Sequence, residues 1–553
     1  MDQRSTADQE VAPSAEDDVG SRVWLPGVVA HISSFMSTND IACTLRLINK
    51  ATSKQFESYR TVRLSLSSPA HAFKRRWGSP NAFRGLSRLQ RQKLLCLTAA
   101  SGSIANLEIA LDNAGLVASS ELLNAAAAAG QLEACKLLRE RGCTWGDGLL
   151  ASAARAGHRH VCEWLLASGC PFDASAAAEA ARGGHESLIY WLMERQLRHL
   201  PVGGASDAVR VVAELLSAAA EGLNLPALQR LHQQLLAGHQ HKQQQQPGQG
   251  QDGEEEEEDE VQSAAVLDAH QKARVLGAAA GSPTPDWQAK VKWLEGLGYP
   301  HTEHAVRSGA SFASRNNEGD DDDSIGRLQW LCDRGYPVCP AAVDDTVACG
   351  NLAGLQFLMQ QQQPEMKPSD GADILAAIFG RLAVLQFIHA RGWPLRARAV
   401  AHRAAGEGHL HVVVWAVETL GVTPDNARDL FDAVAGSGSM EMLIWLRERG
   451  WTCGCDTVPY AVRSGCEEAL EWLVLEQGCP LPVGIVGAVR QGLQHASGPS
   501  HVAGCKSVHL GPEEAGHAQA NGELYDLAAR DSDLAVLRCL HRLGCPWGPN
   551  QVV

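Results

Sequence analysis

The side chains best suited to chemistry in this 553-residue chain are its 16 cysteines and 21 histidines. Thiolates and imidazoles hold transition metals when three or four converge, so their spacing is the first test. No C-x-x-C occurs, and the tightest pairs include Cys453-Gly-Cys455 and His158-Arg-His160. Residues two apart on a helix point about 200° away from each other, so neither spacing makes a metal site. The chain also lacks H-E-x-x-H, G-x-x-x-x-G-K-[ST] and G-x-S-x-G, and its PGQGQDG glycines stand in a low-complexity tract. No catalytic residue, metal or cofactor is assigned, and a non-enzymatic role is expected.

The cysteines instead mark a rhythm. Cys143, Cys170, Cys479 and Cys545 each follow a glycine that closes a recurring phrase, as in EWLLASGCPF and EWLVLEQGCP. A residue in the middle of that phrase serves as a ruler: Ala110, Leu137, Trp164 and Trp191 fall 27 residues apart. The ruler returns at Trp293, Trp330, Phe357, Phe387, Trp415, Trp445 and Trp472, mostly in steps of 27 to 30. Within one unit Val161, Trp164, Leu165 and Ser168 share a helical face. Gly169, Gly450, Gly478 and Gly544 suit the position just past a helix C-terminus, and the prolines at 171, 480 and 546 stop the helix continuing. A shorter, alanine-rich helix precedes each phrase, as in LLASAARAG. Alanine favours helix and lets neighbours approach closely. Neither helix can bury its apolar face alone, so adjacent units must cover it. Trp164, Trp191, Trp293, Trp330, Trp415, Trp445 and Trp472 are accordingly expected to pack between outer helices.

The order short helix, Gly-His turn, longer helix, Gly in AARAGHRHVCEWLLASGCPF resembles the ankyrin repeat, with Gly157-His158, Gly184-His185 and Gly408-His409 at the inter-helix turn. The resemblance implies an all-α solenoid of a dozen or more units that binds a protein client along its curved surface. These units are shorter than the usual 33 residues and lack T-P-L-H, so the hairpin finger of that family is expected to be reduced.

A different pattern runs from Val23 to Phe56, where Leu25-Pro26 precedes apolar residues at helical spacing. It resembles an F-box, which implies docking onto the adaptor subunit of a cullin-RING ubiquitin ligase through Leu25, Pro26, Ile32 and Met36. The alternative is a helical cap on the end of the solenoid.

The expected organisation is a disordered 1–20, the F-box-like module at 21–60, a basic connector at 61–95 and a first repeat block at 96–238. A disordered insert at 239–263, a second block at 264–495 with an acidic loop at 314–324, a loop at 496–521 and a terminal repeat at 522–553 complete it. The formal charge of −15 resides almost entirely in two runs, Asp252 to Glu260 and Glu318 to Asp323. Between Ser58 and Leu107 lie nine Lys or Arg and no acid, including FKRRW, yet no recognisable reading element accompanies them. Nucleic acid is therefore the weaker partner reading. No segment is apolar enough to cross a membrane and the start is not that of a signal peptide, which predicts an intracellular protein with reduced thiols.

Overall fold

The structure, a computed structural model, describes residues 25–199, 205–237, 267–312, 321–361, 368–479 and 523–545. The expected disordered stretches 1–20 and 239–263 and the loop at 496–521 lie outside the described residues. Those described form an all-helical chain with no strand. One isolated antiparallel bridge joins Leu116 to Asp533.

Thirteen helical pairs follow one another among the described residues, from Arg88–Ala100 with Ile104–Asn113 to Glu523–Arg530 with Leu534–Arg542. The first helices of successive pairs touch at every step as far as Thr457–Ser464, whereas the second helices touch at fewer. The first helices thus form the tighter, inner row. Their buried positions explain why: Leu149, Leu150, Ala153 and Ala154 are followed in the next unit by Ala176, Ala177, Ala180 and Ala181. Small side chains inside and larger ones outside bend the stack.

The bend is large enough to bring the ends together. The inner helix Thr457–Ser464 touches both Arg88–Ala100 and Glu523–Arg530, so the contacts run in a closed cycle. Arg91 and Asp533, each 1% exposed, pair across the junction. Around it Arg84 pairs with Glu471, Ala535 N–H donates to Gly115 O at 3.2 Å and Glu468 N–H donates to Arg84 O at 3.1 Å. The repeat array is a ring.

Several joints are stitched in the same way. The glycine between the two helices of a unit is left-handed, with φ of 74° at Gly130 and 79° at Gly157, and the turn residue of the next unit sits on it. A Cβ at Gly157 would lie 2.4 Å from the His185 ring. His185 Nε2 donates to Arg155 O at 3.1 Å and His409 Nε2 to Ile378 O at 2.9 Å. The Gly-His turn thus satisfies a carbonyl that the preceding helix end leaves without an internal partner. Where that turn is missing, a buried cation from the outer helix takes over. Lys290 Nζ donates to Ala220 O, Leu223 O and Ser282 Oγ at 2.7–2.8 Å, and Arg327 Nη1 reaches Ala280 O and Ser282 O.

Several expected boundaries move. The first unit begins at Ser87, whose side chain caps Arg88–Ala100, and not near Cys96. Its polar opening, RLQRQK, resembles a connector because Arg91 is committed to the ring junction. The remaining connector contains the helix Ala70–Trp77. Of the expected acidic loop at 314–324, residues 321–324 belong to the helix Asp321–Asp333, and 314–320 lie outside the described residues. Gln360 and Gln361 end the helix Leu352–Gln361. One disulfide among the described residues, Cys453–Cys479, replaces two of the expected free thiols by joining the segments that follow two consecutive outer helices.

Two outcomes test the stitching. Gly157→Ala should lower the denaturant midpoint more than Gly169→Ala, because both are left-handed but nothing approaches Gly169 within 4 Å; the shared backbone term is about 1–2 kcal/mol. Lys290→Met should destabilise the ring by about 2 kcal/mol through unsatisfied carbonyls. Burial pushes Lys290 from 10.5 down to about 8, so between those values the unfolded chain holds more protons and stability gains a rising slope with pH. The Met variant should lose that slope in pH-dependent melting.

Candidate functional site

The N-terminal module is built from short, well-capped pieces. Leu25 and Pro26 start the helix Pro26–Ser33, with proline where its missing N–H costs nothing. Ser37 caps Thr38–Cys43, and Asn49 and Thr52 form a reciprocal box at Lys50–Gln55. Val29, Ile41, Leu45 and Phe56 make a small core of their own, separate from that of the ring, with Met36 and Tyr59 packed against it.

The opposite face of this module is apolar and uncovered. Leu25 is 53% exposed, Val28 44%, Ile32 36% and Phe35 79%. Val28 and Ile32 share one face of Pro26–Ser33, with Leu25 at its N-cap and Phe35 in the turn just past its end. Of the four residues singled out from the sequence, Leu25, Pro26 and Ile32 stand at this surface, whereas Met36 turns inward. Val28 and Phe35 were missed as surface contacts, although their spacing from Leu25 and Ile32 was the signal. Leu47 and Ile48 add further exposed apolar area on the module.

A buried amide fixes how the module is held. Asn39 Nδ2 donates to Arg63 O, Leu66 O and Ser67 O at 2.9–3.1 Å, and its Oδ1 accepts from Arg63 N–H at 2.9 Å. The strap so gripped ends at Ser68, whose carbonyl accepts from Asn106 Nδ2 of the first outer helix at 2.8 Å. Two asparagines therefore connect the module to the ring. The basic cluster Lys74, Arg75 and Arg76 occupies the exposed last turn of Ala70–Trp77, where cations suit the helix C-terminus. Arg76 also lies over the Trp77 ring at 4.0 Å.

The inner row forms the second surface. Neighbouring units are tied by Arg155–Glu179, Arg182–Glu221, Arg307–Asp345 and Arg398–Asp429 at 2.8–3.1 Å. These pairs consume much of the charge. An open depression of about 450 Å³ lies among Arg396, Arg398, His402, Arg403 and Asp429. Arg398 holds Asp429 below the usual carboxylate range despite burial. About twelve inner helices at interaxial distances of ~8–10 Å leave a central opening of roughly 25 Å.

The seven ruler tryptophans, Trp164, Trp191, Trp293, Trp330, Trp415, Trp445 and Trp472, are half-buried against the core. Full burial falls to the following residue, as at Leu165, Leu192, Leu294 and Leu446. An arginine four places on covers several outer rings, with Arg195 3.8 Å from the Trp191 centroid and Arg449 3.9 Å from that of Trp445. The indoles are packed at the rim of the core.

Reactive chemistry is muted at several buried thiols. Burial pushes Cys135 and Cys162 up to about 12 and Cys96 and Cys545 up to about 11, which keeps them protonated at neutral pH. Glu467, Glu471 and Cys539 gather ligand atoms within 4.8 Å of one another, a grouping invisible in sequence because it forms next to the ring junction. Arg542 pairs with both carboxylates and Arg84 with Glu471, so a cation would have to displace guanidinium groups.

No protein-family model matches this chain, and no curated protein matches it. Asn39→Ala should free the 63–67 strap: its amides should exchange faster, by roughly the tenfold or more that 1.4 kcal/mol represents, while those of 149–167 remain unchanged.

Proposed function

We propose that this chain is an ankyrin-type repeat protein that acts as a non-enzymatic protein-interaction scaffold. Its N-terminal module is F-box-like and recruits a cullin-RING ubiquitin ligase through the adaptor subunit, while the repeats hold a protein client. The observation that carries the docking reading is the uncovered stripe Leu25, Val28, Ile32 and Phe35 on a module with its own core.

An apolar stripe on a small rigid element is what a partner groove needs, and regular capping keeps the entropic cost of binding low. A simple cap would turn such a stripe towards the repeat it covers. Here the first unit meets the last two units of the ring instead. The client reading rests on the repeated inner row, whose mixed charges and rigid spacing offer many weak contacts in a fixed frame. Intracellular placement belongs to the same proposal; among the described residues no helix is long and apolar enough to cross a membrane.

Affinity purification of the full chain tests the docking step. Recovery of the cullin adaptor should fall at least tenfold in the Leu25→Ala/Ile32→Ala variant, with the thermal transition of the repeats unchanged. Phe35→Ala should weaken it as well. Failure of the native chain to bind the adaptor, or equal recovery from the double variant, contradicts the reading.

A further inference from the structure

The joint that closes the ring is crossed by three ion pairs, one of them fully buried. Between consecutive units the inner helices bury Ala, Leu and Val, as between Leu149–Arg155 and Ala176–Arg182, with partly solvated ion pairs such as Arg155–Glu179 at the edge. At the closure ion pairs and hydrogen bonds accompany a small apolar contact between Gly115 and Ala535. Arg84 meets Glu471, Arg88 lies 3.8 Å from Asp531, and Arg91 forks onto Asp533 while also donating to Gly465 O and Ala114 O at 2.8–2.9 Å. Three backbone bonds complete it: Glu468 N–H to Arg84 O, Val117 N–H to Ser532 O and Ala535 N–H to Gly115 O.

Charged groups that part into water recover their hydration, whereas parted apolar helices do not. A joint of this composition therefore has the cheapest open state in the ring. The two sides are also the most distant in sequence, so separating them strains no short connecting loop. Asp533 stands at the stitching position, with its carboxylate 2.6 Å from where a Cβ of Gly465 would lie, as His185 stands over Gly157. It stitches the terminal pair to the preceding unit and grips Arg91 of the first. The terminal pair can remain stacked on its neighbour while the first unit lets go.

We propose that this closure is a clasp: the ring opens between residues 84–117 and residues 465–471 with 531–535 while every other joint stays packed. Opening gives lateral access to the inner row for a partner too long or too bulky at its ends to be threaded through a hole of roughly 25 Å. The inference rests on the ring alone and holds whether or not the N-terminal module docks a ligase adaptor.

Hydrogen exchange on the full chain tests it. The amides of Val117, Glu468 and Ala535 should exchange at least tenfold faster than those of Val161, Cys162 and Leu165 in mid-ring. Arg84→Ala/Arg88→Ala should widen that gap a further tenfold or so without changing mid-ring exchange, and Arg84→Lys/Arg88→Lys should restore part of the difference. Added salt should act in the same direction as the alanine variant, because these outer pairs are partly solvated. Seam amides that exchange at the mid-ring rate in the native chain overturn the proposal. So does an alanine variant in which all joints accelerate together, since the closure would then be one cooperative part of the fold.

Discussion

Every stacked helical pair has two open edges, and an apolar edge left in water is the constraint on which the rest of this structure depends. One unit cannot satisfy itself, so the sequence repeats a solution in which Leu165, Leu192 or Leu446 fills the joint and a glycine with its overlying turn residue sets the spacing. A linear array would still leave one edge at each end. Curvature from the alanine-rich inner row removes both at once, because the first unit and the last come to face each other. Closure is thus the continuation of the packing that makes each unit necessary to the next.

That logic explains where polar groups are buried. Lys290 and Arg327 occupy apolar core positions, yet each ends on the carbonyls of an inner helix whose regular turn is absent. Arg91 and Asp533 are buried for a comparable reason at the closing joint. Asn39 and Asn106 do the same for the strap that carries the N-terminal module. In each case an ionised or amide side chain supplies hydrogen bonds where the repeat pattern breaks. Removing one partner strands the other, which makes these positions more sensitive than their small number suggests.

Local features were legible in the sequence and long-range ones were not. The period, the helical type, the stop at each glycine and the exposure of Leu25 and Ile32 follow from neighbours within a few residues. The start of the first unit at Ser87 was hidden because Arg91 serves a partner hundreds of positions away. The same distance hid the meeting of Glu467 and Glu471 with Cys539 and the closure of the ring. Met36 was expected among the docking contacts from the resemblance, but the helix ends at Ser33 and the turn that follows packs Met36 against the module core. Phe35 was passed over although it completes the stripe. The tryptophan ruler gave the correct register and missed the deepest position by one residue, since a large indole fits better at the edge of a joint than at its centre.

The closed cycle is the claim from which the inner surface, the stitched joints and the unequal strength of the joints all follow. Class averages of the full chain by cryo-electron microscopy in low salt test it most directly. The account predicts a continuous annulus with a central opening of roughly 25 Å and the N-terminal module beside the first unit. An extended rod, or an arc whose ends stay apart in every class, would contradict it.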